Sequence, residues 1–113
     1  MFIINENEIE KGDKISKWLI GPWNTHQEGV EFGVAELKKG DFVKAHFHME
    51  VHEILYLIEG VLEIALNDEK KEIGKGTAVY FEPNIVHSFL VLSEYAKIVA
   101  VKSPSLAEDK FYI

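Results

Sequence analysis

Residues 40–60 read GDFVKAHFHMEVHEILYLIEG and hold three of the chain's five histidines, His46, His48 and His52, interspersed with Glu50 and Glu53. The five residues after Glu53, ILYLI, are aliphatic or aromatic. On a β-strand, residues two apart leave the same face, so His46 and His48 project together from Cα atoms ~7 Å apart. Two imidazoles so placed can converge on one ion at ~2.0–2.2 Å. Glu53 follows His48 by an odd number of residues and would face the other way on an unbroken strand. For Glu53 to join the histidines, MEVH must turn or bulge and deliver the chain into a second strand. The same parity directs His52 away from the site. A fourth candidate is His87, in GTAVYFEPNIVHSFLV. Pro83 and Asn84 mark a turn there, because proline cannot donate to a ladder. His87 then opens a strand that can reach the ion from another wall.

Length and composition bound what such a site can belong to. A chain of 113 residues is expected to form one domain over residues 1–113. It can bury roughly two-thirds of the surface its unfolded form exposes. With no cysteine, a disulfide framework, a thiolate metal site and a thiol nucleophile are excluded. The composition suits a reducing compartment, and a cytoplasmic location is expected. No apolar run approaches the ~20 residues of a membrane span, so no membrane partner is expected. The N-terminal MFIINENEIEKGDK lacks the basic and apolar regions of a signal peptide. A net charge of −7 argues against nucleic acid, whose phosphates need a basic surface. All twelve basic residues are lysines. An anionic ligand therefore meets no guanidinium fork and depends on lysine, a metal or backbone N–H groups.

The rest of the pattern is β. The runs SKWLI, VEFGVAEL, FVKAHFH, EILYLI, VLEIAL, TAVYF, VHSFLV and AKIVAVK are short and rich in β-branched or aromatic residues. Turn signals part them: GP at 21–22, KKGD at 38–41, EG at 59–60, NDEK at 67–70, GKG at 74–76, EPN at 82–84 and SE at 93–94. Short strands at such spacing predict an antiparallel all-β sandwich or barrel. Two central strands are apolar on both faces. Leu55 and Leu57 alternate with Ile54, Tyr56 and Ile58. Leu62, Ile64 and Leu66 oppose Val61 and Ala65, which flank Glu63. Only the inner face of a barrel wall has to be apolar. A greasy outer face needs a cover, and a homodimer is expected.

These residues resemble the cupin superfamily. Its first motif, G-x5-H-x-H-x4-E-x6-G, is matched at every position by Gly40, His46, His48, Glu53 and Gly60. Gly76, Pro83, Asn84 and His87 resemble the second motif, over residues 76–91. The departures are Glu82, where a proline is common, and Val91, where an asparagine would fall; both concern turn geometry rather than ligation. The resemblance implies a double-stranded β-helix (jelly-roll) barrel open at one end. It implies one divalent transition metal per subunit, Mn, Fe, Ni, Co, Cu or Zn, held by His46, His48, Glu53 and His87. It also implies a metal-dependent enzyme of dioxygenase, decarboxylase or isomerase type, acting on a small polar or anionic molecule. The alternative is a non-catalytic cupin that binds or senses a small molecule and keeps a structural metal.

Other residues carry weaker expectations. Proton transfer for an isomerase or decarboxylase could come from Glu36, Glu63 or Tyr80. Lys44 shares strand parity with His46 and His48 and is expected to point inward near the rim. Trp18, Trp23, Phe32 and Tyr80 are candidates for pocket lining, core or interface. His26 is read as a loop residue, His52 as surface or interface, and Glu50 as a solvated turn residue. Phe111, Tyr112 and Ile113 are apolar enough to pack on a barrel wall or on a partner subunit.

Overall fold

Period-two alternation governs the strands. In His52–Glu59 the residues Glu53, Leu55 and Leu57 are buried, while Ile54, Tyr56 and Ile58 face outward. The computed structural model describes residues 2–113; Met1, the first residue of the unit expected above, lies outside them. Among the described residues the strands are β1 (Lys17–Ile20), β2 (Glu31–Lys38), β3 (Phe42–Phe47), β4 (His52–Glu59), β5 (Val61–Leu66), β6 (Glu69–Gly74), β7 (Ala78–Phe81), β8 (His87–Val91), β9 (Tyr95–Ser103) and β10 (Phe111–Tyr112), with one short helix, α1 (Pro22–Thr25). They form two five-stranded sheets, in the orders β1-β2-β9-β4-β7 and β10-β3-β8-β5-β6. Every pairing is antiparallel. From β3 onward the chain passes repeatedly from one sheet to the other, which is the jelly-roll double-stranded β-helix expected from the sequence. Among the described residues no helix is long and apolar enough to cross a membrane.

The inner faces of the two sheets make the core. Leu55 and Leu57 of β4, Leu62 and Ile64 of β5, and Ala96 and Ile98 of β9 belong to one buried cluster, with Phe81 and Val91 beside it. Leu57 and Leu62 are fully removed from solvent, and each such side chain contributes roughly 1.5–3 kcal/mol of burial. The eight strand-like runs of the sequence all fall on strands. Two strands have no counterpart in that reading. In β6, EKKEIG, five of six residues are exposed and Ile73 alone is buried. It pairs only with β5 at a sheet edge, where charged side chains prevent further pairing. The NDEK turn is accordingly shorter than expected, since Glu69 already pairs with Leu66 across Asn67 and Asp68. The second, β10, is a two-residue strand that pairs with β3 at Phe47 and His46. Of Phe111, Tyr112 and Ile113, expected to pack on a barrel wall or a partner subunit, Phe111 stacks on the Phe47 ring at 5.4 Å, while Tyr112 and Ile113 stay largely exposed.

Gly60 carries the chain from β4 in one sheet to β5 in the other within a single residue. Its φ is +100°, and a Cβ built on it would lie 2.5 Å from the Tyr95 carbonyl oxygen and 2.7 Å from the Ala96 Cβ. Gly40 also has a positive φ, +91°, but its Cβ would meet open space. The two motif glycines are thus required for different reasons. Gly60→Ala should cost roughly 2–5 kcal/mol, from strain plus overpacking, whereas Gly40→Ala should cost roughly 1–2 kcal/mol from strain alone. Urea unfolding of the two variants measures the difference.

Candidate metal centre

The strands that build the core also carry the site. Glu53 shares the inner face of β4 with Leu55 and Leu57, one step nearer the open end. His87 stands in the same relation to Phe89 and Val91 on β8. His46 lies directly across from His87 in the β3–β8 register, and His48 follows the last residue of β3. All four are at least nine-tenths buried. Residues 48–51 turn the chain out of one sheet so that β4 can begin in the other, as the position of Glu53 required. His52 alternates outward, where it stacks on the Tyr80 ring and shares a hydrogen bond with its hydroxyl.

One ligand atom from each of His46, His48, Glu53 and His87 lies within 4.8 Å of the others. Two donors bound at ~2.0–2.2 Å stand at most ~4.4 Å apart across an ion. The four atoms are therefore close enough together for modest side-chain movement to close them on one cation. Backbone carbonyls fix the ring tautomers. His46 Nδ1–H donates to the Lys44 carbonyl at 2.7 Å, His48 Nδ1–H to the Asp109 carbonyl at 2.5 Å, and His87 Nδ1–H to the Ile85 carbonyl at 3.0 Å. A carbonyl can only accept, so each Nδ1 carries a proton, and a ring in its neutral form presents a bare Nε2 to the site. His48 Nε2 and His87 Nε2 approach Glu53 Oε1 at 3.2 and 3.5 Å. A ring that also carries a proton on Nε2 donates it to Glu53, whereas a ring bare at Nε2 meets the carboxylate lone pair to lone pair; His87 Nε2 is a buried atom without a hydrogen-bond partner.

Electrostatics sharpen the point. Burial pushes the Glu53 carboxyl up, but the imidazoles of His48 and His87 and the charge of Lys102 outweigh it and hold it well below the usual carboxylate range. Glu53 is therefore ionised. Burial pushes His46 down to about 4 against the opposing bond to Lys44, so this ring stays neutral at pH 7. One divalent cation fits the cluster, with nitrogen and oxygen donors suited to a transition metal.

The C-terminal segment braces this arrangement. The Asp109 carboxylate accepts the N–H groups of Met49, Glu50 and Val51 at 2.8, 2.8 and 2.9 Å, which are the residues that turn the chain between the two sheets. Burial pushes the Asp109 carboxyl up, and these three bonds outweigh it and hold it below its ordinary value. On the other flank the Phe81 ring stacks on His87 at 4.1 Å. A cavity of about 70 Å³ adjoins the cluster, with Trp18, Leu55, Phe81 and Lys102 among its walls. It opens onto a vestibule of about 760 Å³ that shares Trp18, Lys102 and Lys110 with it.

Several expectations are corrected. Lys44 does not point inward. Two residues between Val43 and His46, Lys44 and Ala45, oppose the single Ser88 between Phe89 and His87, and this bulge gives the inward position to Val43 instead. Glu36 is exposed on the outer face of β2 beside Lys97, and Glu63 alternates outward between buried Leu62 and Ile64. Tyr80 is on the outer surface with His52. None of the three proposed proton-transfer groups reaches the cavity. Trp18 lines both chambers and Trp23 only the vestibule. His26 ends α1 on the surface. The sequence reading missed Lys102, Asp109 and Lys110. Parity with Ala96, Ile98 and Ala100 would have turned Lys102 inward; Asp109 and Lys110 follow an irregular loop and carried no such signal.

Residues 33–102, over half of the chain, match the family described as Cupin domain, and the chain belongs to that family. It is 28% identical over 100 residues to quercetin 2,3-dioxygenase of Bacillus subtilis, a match covering 88% of this chain. The chain spans only 29% of the length of that curated relative. Among solved structures, KdgF from Halomonas sp. matches with a TM-score of 0.78 at 17% identity, over 96% of both chains. Oxalate decarboxylase from Bacillus subtilis matches at 0.80 with 20% identity, over 97% of this chain and 31% of that one. At such identities the structural likenesses show the shared fold.

Asp109 acts on the site through the 48–51 turn and the His48 ring rather than as a ligand. Asp109→Ala should weaken divalent-metal affinity by about 10–100-fold, measured by competition with a chromogenic chelator. The strand signal in far-ultraviolet circular dichroism should persist.

Proposed function

We propose that the chain is a metal-dependent oxidoreductase of the dioxygenase type. It holds one divalent transition metal per subunit through His46, His48, Glu53 and His87 and acts on a small polar or anionic molecule in the barrel. The observation that carries this reading is the convergence of three imidazole nitrogens and a carboxylate beside a cavity. A divalent ion there supplies a Lewis acid and, if iron, manganese, cobalt, nickel or copper, a redox centre with positions left for guest atoms. Decarboxylases and isomerases also need a side chain that moves a proton at the substrate. Among the described residues, Glu53 is the one carboxylate lining the inner cavity and is committed to the ligand cluster, which leaves Lys102 and Lys110 as the titratable groups there that could move a proton. Dioxygenase chemistry asks less of the protein: positioning the substrate and excluding water. Trp18, Leu55 and Phe81 supply apolar walls for both. The activity named for the Bacillus subtilis relative supports the same class.

The small inner cavity favours a second reading, a cupin that binds a small molecule without turning it over. Oxygen uptake separates the two. Iron- or manganese-loaded protein should consume dioxygen with at least one member of a panel of small enolisable carboxylates. His48→Ala should lose metal and uptake together. Saturation at a hundredfold excess over Kd should stabilise the fold by about 2.7 kcal/mol. Metal retention without any uptake supports the second reading. If no divalent ion raises the melting temperature and His48→Ala leaves the metal content unchanged, the ligand assignment is wrong.

The same reading includes a homodimer and residence in the cytoplasm, the latter resting on the cysteine-free composition. Support for the dimer is the outer face of β4 and β7, where Ile54, Tyr56, Ile58 and Tyr80 are 41–53% exposed and Ile54 pairs with Tyr80 in register. Such a stripe is costly to leave in water. Sedimentation at micromolar concentration should give twice the chain mass, and Tyr56→Lys should halve it without changing metal content.

A further inference from the structure

This acidic chain gathers lysines in one place. Lys11, Lys14, Lys17, Lys102 and Lys110 line the vestibule against three carboxylates, although the chain as a whole carries −7. Two of those carboxylates are already occupied. Asp109 accepts the three N–H groups of the 48–51 turn, and Glu31 accepts the Ser105 hydroxyl. Lys102 and Lys110 reach furthest in and line the inner cavity beside His46, Glu53 and His87.

Lys102 arrives there because it continues the inward face of β9 after Ala96, Ile98 and Ala100, and it lies opposite Glu53 in the β4–β9 register. Its ammonium is 4.9 Å from the centroid of the Trp18 ring, and that of Lys110 is 5.3 Å from the centroid of the Tyr112 ring. Among the described residues neither ammonium belongs to an ion pair. Aromatic faces recover part of the lost hydration but provide no hydrogen-bond acceptor. A half-buried ammonium held against a cavity in this way is ready for an incoming anion.

We infer that Lys102 and Lys110 form an anion-binding lip over the ligand cluster, and that the guest is a small carboxylate whose charged end they receive. The size of the inner chamber limits that guest. About 70 Å³ is room for roughly two to five waters, so only a small charged end of the ligand enters. A ligand of several fused rings does not fit inside and would be confined to the vestibule. Lys102, half-buried and aligned with Glu53, makes the main contact. Lys110, exposed on the C-terminal segment, closes the mouth. The inference rests on the metal reading above only for what holds the other end of the guest.

Pyruvate and its uncharged analogue pyruvamide, of equal size, test it. Calorimetric titration into nickel-loaded protein should give pyruvate an affinity at least about 10-fold above pyruvamide, the scale of one charge-assisted contact. Lys102→Gln should abolish that preference, Lys102→Arg should retain it, and Lys110→Gln should reduce it. Nickel content, measured in parallel, should stay at the wild-type level in all three variants. Equal affinities for the two probes, or a Lys102→Gln protein that binds pyruvate like the wild type, would overturn the lip. A wild-type protein that takes up no metal sinks the metal reading instead. The lip then still predicts a weaker, Lys102-dependent preference for pyruvate in the metal-free protein.

Discussion

Four acceptors face one another at the end of a hydrophobic barrel, and the rest of the structure is organised around that arrangement. Backbone carbonyls take the Nδ1 protons of His46, His48 and His87. Three lone pairs are left beside the ionised Glu53. Converging acceptors repel, and burial removes the water that would otherwise separate them. Such a cluster is stable only with a positive charge at its centre or close by. Protonation is opposed at His46 by burial. The cluster is thus one that a divalent cation fits.

The hydrophobic core and the site are two ends of the same strands. Leu55 and Leu57 set the depth of Glu53, and Phe89 and Val91 set that of His87, because side chains on one face of a strand rise in fixed steps. Burial of the leucines thereby positions the carboxylate. What the strands leave undetermined is the turn between β3 and β4, which must place His48 without the support of a ladder. Asp109 supplies that support by taking three successive N–H groups, while its carbonyl orients the ring. The C-terminal segment then adds Lys110 to the mouth and β10 to the outside of His46.

Charge is distributed against the net composition. The surface is acidic on balance, yet the approach to the cluster is basic, so the local field at the mouth has the opposite sign to the whole. A rim with a surplus of lysines over a low-dielectric chamber attracts small anions and steers them inward. In a chain without arginine, this work falls to lysines at the chamber's edge. The outer face of β4 is a separate surface, apolar rather than charged, and it lies on the far side of the sheet from the ligands.

Much of this was legible in the residues alone. The pairing of His46 with His48, the need for a turn before Glu53, the outward direction of His52 and the strand after Pro83 all follow from period-two geometry, which acts over a few residues. The same logic could have turned Lys102 inward. It failed at Lys44, because a bulge in β3 depends on pairing with β8 and leaves no local mark. It overlooked β6, where edge charges hide the alternation. It gave no hint of Asp109, whose partners lie some sixty residues earlier in the chain. The sequence by itself determined the ligand types, their strand parity and the all-β class, since these rest on near-neighbour sterics and residue chemistry. Only the tertiary structure decided which distant segments brace and surround the ligands, because that depends on how two sheets close on each other, and no short spacing encodes it.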